Sequence, residues 1–134
     1  MDHFKHIQNT FRLEHLPANV RAGRFLGRWP FLRRYQRWPI GLSFLPAEGR
    51  FSYQRNGKTQ AVKFNGRNLQ FHALYENYYR HGYELETALL ISTLCHGDRP
   101  FFDIGSNWGY FCLLAASLPE FSGPIHAFEP NPRT

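Results

Sequence analysis

Phe101–Gly109 reads F-F-D-I-G-S-N-W-G, and further on Ile125–Glu129 reads I-H-A-F-E. Phe101–Ile104 is a short, mostly apolar run, the pattern of a strand buried on both faces. Gly105 and Gly109 bracket the turn that follows, where glycine permits positive φ and close approach of the backbone to a ligand. From Trp108 the pattern turns helical. Trp108, Phe111, Cys112, Ala115 and Leu118 recur at three- and four-residue steps, and Pro119 ends the helix. Gly123-Pro124 breaks the chain again, and Ile125–Phe128 reads as a second buried strand ending in Glu129. Strand, turn, helix and strand predict a βαβ unit with a nucleotide-type site at the carboxyl ends of its strands.

The charges narrow the ligand. A dinucleotide fingerprint wants G-x-G-x-x-G, with phosphate on the helix N-terminus. Here the middle glycine position is Asn107, and Asp103 ends the strand before the turn. A carboxylate at that point repels a pyrophosphate and suits a ligand carrying positive charge. S-adenosylmethionine has a sulfonium, an ammonium and no phosphate. A carboxylate at the end of the second strand accepts hydrogen bonds from both ribose hydroxyls, and Glu129 is placed for that.

D-I-G-S-N-W-G-Y followed by A-F-E-P-N resembles the FkbM-type S-adenosylmethionine-dependent methyltransferases, whose pattern is D-[IV]-G-A-N-x-G-[YF] and then A-[FI]-E-P. Ser106 stands where the family usually has alanine, and Trp108 where it usually has an aliphatic residue. Tyr83-Glu84 resembles the Y-E pair that opens the helix before the first strand. The resemblance covers Tyr83 to Pro132. It implies a Rossmann-like, mostly parallel α/β sheet and S-adenosyl-L-methionine as cofactor. The residues it implies at the cofactor are Asp103, Gly105, Ser106, Asn107, Gly109 and Glu129. Asp103 is expected to orient the glycine turn and meet the cofactor's amino end. Asn107 either meets the cofactor or caps the helix. Glu84 either reaches the methionine end or serves the helix dipole. The acceptor implied is a hydroxyl of a sugar or another small molecule, and no catalytic base is assigned. Since the family sheet has seven strands, the chain is expected to be the N-terminal part of such an enzyme, from a truncated gene or gene fragment, and inactive alone; the alternatives are a non-catalytic binding or interaction module using the basic arm, or another nucleotide-binding α/β enzyme. Exposed faces of the unfinished sheet would then favour self-association.

The 134 residues fit one domain, with three regions. Residues 1–49 form a basic, aromatic arm, 50–82 a small β-meander with its connector, and 83–134 the cofactor region. Through Arg80 there are 14 Lys and Arg against 4 acids, a net of +10; from His81 on, 2 against 6, a net of −4. Cys95 and Cys112 have no metal or redox spacing and read as buried small side chains. The histidines show no ligand spacing beyond His3 and His6, so no metal is expected. There is no apolar run of membrane-spanning length and no signal-peptide core, from which a cytoplasmic location is expected.

Met1–His15 predicts a short helix with Phe4, Ile7 and Phe11 on one stripe, ended by Pro17. Arg21–Trp38, R-A-G-R-F-L-G-R-W-P-F-L-R-R-Y-Q-R-W, interleaves arginine with aromatic residues. Its plainest reading is an irregular arm that packs its aromatics on the domain and keeps its arginines in water. The alternatives are contact with an anionic membrane surface or a protein, or with nucleic acid. No RNA-binding signature accompanies it, so specific nucleic-acid binding is not expected. Asn56-Gly57 and Asn65-Gly66 predict hairpin turns between strands Arg50–Arg55, Lys58–Phe64 and Arg67–His72. Tyr75, Tyr78 and Tyr79 are expected to cap that sheet. Glu84–His96 predicts a helix burying Leu85, Ala88, Leu89, Ser92 and Cys95, with Gly97 as its C-terminal cap.

Overall fold

In the computed structural model, which describes residues 2–76, 79 and 81–131, Asn56 and Gly57 have φ of 51° and 71°. Two successive positive φ values make a type I′ turn, whose twist matches that of paired strands. The turn joins β2 (Glu48–Arg55) to β3 (Lys58–Asn65) in an unbroken antiparallel register from Arg55↔Lys58 to Glu48↔Asn65.

The predicted third strand is not there. Leu69–Leu74 is a 3-10 helix, started by Asn68, whose side chain accepts the Gln70 N–H at 3.0 Å. The Asn65 side chain accepts the Arg67 N–H at 3.0 Å. Asn65-Gly66 is therefore a side-chain-capped turn that sends the chain away from the sheet. Gly66 serves close packing: an added Cβ would lie 2.8 Å from Pro17 and Asn19.

The third strand comes from the other end of the chain. The predicted Met1–His15 helix stops early, as α1 (His3–Asn9), capped by Asp2 through the Lys5 N–H. Phe11–His15 is β1 and pairs antiparallel with β2, giving the order β1-β2-β3. Phe11 and Leu13 alternate with polar residues, so the strand packs both, half-buried, against the sheet's core. That pairing covers an edge of β2 and prevails over the helical stripe.

Arg21–Trp38 is more ordered than an irregular arm. Ala18–Gly27 forms α2, Arg33–Tyr35 one 3-10 turn, and Trp38–Gly41 the short α3. The Arg24 guanidinium donates to the Tyr75 carbonyl and lies 5.6 Å from that ring's centroid, fixing α2 to the core. Tyr75 packs beside Phe64 as a cap on the sheet, and Tyr79 rests on His72 and Tyr83. Tyr78 lies outside the described residues.

Leu85–Leu94 is α4, with Ala88 and Ser92 buried. Gly97 follows at φ 70°. β4 (Phe101–Ile104), α5 (Tyr110–Ser117) and β5 (Ile125–Phe128) form the predicted βαβ unit, with Phe101↔Ile125 through Ile104↔Phe128 in parallel register. The fold is mixed α/β, with a three-stranded antiparallel sheet and a two-stranded parallel one. The parallel strands are not buried on both faces as expected. Phe101 and Ile125 pack on the cluster of Ala115, Leu118 and Phe121. Phe102 and Phe128 are exposed, and Ile104 is 84% exposed, because these side chains point away from α5.

Two further core clusters, one around Ile7, Ala88, Tyr110 and Leu114 and one around Val20, Phe51, Phe64 and Tyr75, share Phe11 and Trp108. The Phe11 ring stands 5.8 Å from Phe51, 6.0 Å from Trp108 and 5.1 Å from Tyr110. His6 Nε2 pairs with Ser117 Oγ at 3.0 Å, tying α1 to the end of α5. Among the described residues no helix is long and apolar enough to cross a membrane.

Candidate functional site

The turn between β4 and α5 holds three left-handed residues: Gly105 at φ 82°, Asn107 at 54° and Gly109 at 86°. At Gly105 and Gly109 an added Cβ would meet nothing within 4 Å. Glycine is required there by backbone conformation, and it leaves the turn's outer surface bare. α5 starts at Tyr110 with Gly109 in the cap position, so Asn107 does not cap it.

Four amides of the turn are already engaged. Gly105 and Ser106 N–H both donate to the Phe128 carbonyl, at 2.8 and 3.1 Å, and Gly109 N–H donates to the Ser106 carbonyl at 2.8 Å. Asn107 N–H donates to Glu129 Oε2 at 2.8 Å. A phosphate cradle depends on free N–H groups converging on the anion. These four N–H groups point into the protein's own carbonyls and carboxylate.

Glu129 thus holds the turn, a role expected of Asp103. Its second oxygen accepts the Asn131 N–H at 2.7 Å. With one donor on each oxygen, the carboxylate keeps capacity for two more. Asp103 shares a face of β4 with Phe101, toward α5, and its Oδ2 accepts from Cys112 Sγ at 3.2 Å. Burial pushes the Cys112 thiol up to about 12, and the hydrogen bond and charge of Asp103 add to the rise. Cys112 is therefore a neutral donor at ordinary pH. The sequence presents it only as a small buried residue; the missed signal is its place in the first turn of the helix after a strand-ending acid. Among the described residues neither Asp103 nor Glu129 forms an ion pair.

Asn107 Oδ1 is buried without a hydrogen-bond partner among the described residues, and Ser106 is buried beneath the turn. Asn107 and Trp108 also wall an open pocket of about 540 Å³ together with Phe51, Phe64, Asn68 and Phe71. Glu84 sits at φ 43° and makes no side-chain cap on α4. The neighbouring Tyr83 N–H donates to the Tyr110 hydroxyl at 3.3 Å, which brings the Tyr83-Glu84 pair to the first residue of α5. Burial raises the Tyr83 phenol, and its hydrogen bond with Glu84 adds to that. Among the described residues no cluster of three His, Cys, Asp or Glu is arranged to hold a metal ion.

The six residues Asp103, Gly105, Ser106, Asn107, Gly109 and Glu129 come together at the carboxyl ends of two adjacent parallel strands. Such an arrangement can hold a ligand that brings hydroxyl donors to one carboxylate and positive charge to the other. No protein-family model, curated protein or solved structure matches the chain.

Proposed function

We propose that the β4–α5–β5 unit is the cofactor-binding part of a Rossmann-like, class I S-adenosylmethionine-dependent methyltransferase. The reaction is transfer of a methyl group to a hydroxyl of a saccharide or other small molecule. One observation carries the reading: two carboxylates without ion-pair partners among the described residues flank an open glycine turn whose Gly105, Ser106, Asn107 and Gly109 amides are already engaged. That combination favours a cationic, ribose-bearing ligand over a pyrophosphate.

Glu129 accepts the ribose hydroxyls while its bonds to Asn107 and Asn131 fix its orientation. Asp103, steadied by the Cys112 thiol, faces the ammonium. Gly105 and Gly109 let the ligand lie against bare backbone. The bound cofactor supplies a methyl group on a positively charged sulfur, ready for in-line displacement. What these residues contribute is position and exclusion of water.

Two-dimensional amide NMR of the full chain with S-adenosylhomocysteine tests the proposal. Shifts confined to Asp103–Gly109 and Glu129 are expected, with none from NAD. Asp103→Asn should weaken S-adenosylmethionine binding roughly 10- to 100-fold, the range for a hydrogen bond to a charged group. An unchanged affinity, or shifts from NAD instead, would overturn the reading.

A further inference from the structure

Between Glu14 and Glu48 the chain has no acidic residue, while it has six arginines. The structure places the aromatic residues of this stretch outside the core. Phe31 is 69% exposed, Trp38 68% and Phe44 76%; Phe25, Trp29 and Tyr35 are exposed as well, with the Trp29 and Phe31 rings 6.2 Å apart. Arg21, Arg28, Arg33, Arg34 and Arg37 are exposed in the same stretch, and the Arg34 guanidinium lies 4.8 Å from the Tyr35 ring centroid. The plainest sequence reading, in which the rings pack on the domain, does not hold.

This surface is built on fixed supports. Asn19 is fully buried, takes the Pro46 carbonyl through its N–H at 3.2 Å and donates its side-chain amide to Ile40. A methyl group on Gly23 would run into the Gln36 carbonyl, so the segment after α2 folds back onto that helix. Arg67 Nη2 lies 2.9–3.0 Å from the carbonyls of Leu42, Ser43 and Leu45, and so clamps the loop that presents Phe44.

We infer that the Phe25–Phe44 surface seats the protein on an anionic lipid bilayer. Arginine answers the negative charge of the headgroups, and rings insert beneath them at the level where Trp and Tyr are enriched. Exposure separates this from single-stranded nucleic acid. A stacking platform offers one ring face and rests on the other. Rings exposed by two thirds or more stand clear of the surface, as insertion requires.

The test is co-sedimentation of the full chain with vesicles of 70:30 phosphatidylcholine and phosphatidylserine, against vesicles of phosphatidylcholine alone. Partition at least tenfold stronger onto the anionic vesicles is expected, weakened by salt, with tryptophan emission moving to shorter wavelength. Phe31→Ser with Phe44→Ser should reduce partition at least tenfold, and separately Arg33→Gln with Arg34→Gln and Arg37→Gln should reduce it roughly 100-fold. All five positions are exposed, so circular dichroism and melting should match the parent. No partition onto anionic vesicles, or partition that neither variant changes, would overturn the inference. So would tight binding of an RNA oligomer, lost in the same variants, without vesicle binding.

Discussion

Glu129 Oε2 accepts the Asn107 N–H at 2.8 Å, so the residue that ends β5 holds the turn that ends β4. A left-handed asparagine is costly by itself. The carboxylate supplies the partner that keeps it there. Glu129→Ala should cost about 1–3 kcal/mol in urea unfolding, because it leaves an amide without its charged acceptor. Glu129→Gln keeps an acceptor and should cost less. Equal losses for the two would mean that the bond does not hold the turn.

Cys112 should alkylate slowly. Its thiol is buried and pushed up to about 12. Cys95, also raised by burial, is less enclosed. Iodoacetamide at pH 8, followed by peptide mass spectrometry, should label Cys95 first. Asp103→Asn removes the carboxylate that helps keep Cys112 protonated and should speed its labelling. Unchanged labelling would place Asp103 away from the thiol.

Stability should fall in mild acid. Burial lowers His6, with His3 adding to that, and burial also lowers His72. A depressed folded-state value means that the unfolded chain binds the proton more readily. The contribution of these groups is therefore present above the ordinary value near 6.5 and lost as pH falls below it. The melting temperature should drop between pH 7 and pH 5.5, and the drop should shrink in His6→Gln. An unchanged drop would assign the effect elsewhere.

Phe51 is fully buried and touches Phe11, Phe64 and Trp108. Phe51→Ala should cost about 3–5 kcal/mol, enough to unfold a marginal domain. Chemical denaturation measures this, and a loss below about 1 kcal/mol would contradict the packing described.

The exposed face of β4 and β5 should associate with a second copy. Ile104 stands beside Phe128, and Phe102 stacks on His126 at 4.8 Å. Sedimentation velocity should detect oligomers that Ile104→Lys disperses. A monomer at all concentrations would show that this face is tolerated in water.

The βαβ unit was legible because its signals are local. An apolar run, glycines at two turn positions and a helical period are each read within a few residues, and the strands fall at the predicted bounds. The sheet was legible only in part. Asn56-Gly57 needed nothing beyond its own φ values. Asn65-Gly66 has the same letters, but Asn65 bonds to Arg67 and Gly66 is pressed against Pro17 and Asn19. That outcome depends on a segment far away in the sequence. β1 does show alternation, in Phe11 and Leu13, but choosing strand over helix there depends on the free edge of β2. At the site, the residue types and their clustering were readable. The division of work between Glu129 and Asp103 was not, since it follows from which way each side chain leaves its strand.

His6 and Ser117 meet across 111 residues of chain, and Phe11 fills the junction between two clusters. During ribosomal synthesis the α1 segment is thus made long before its partner in α5, and docks late. α1 and its apolar side chains emerge early and wait in water until α5 has left the exit tunnel. An amino-terminal fusion would burden that late closure, and a nascent chain stalled before Tyr110 would present Ile7 to chaperones.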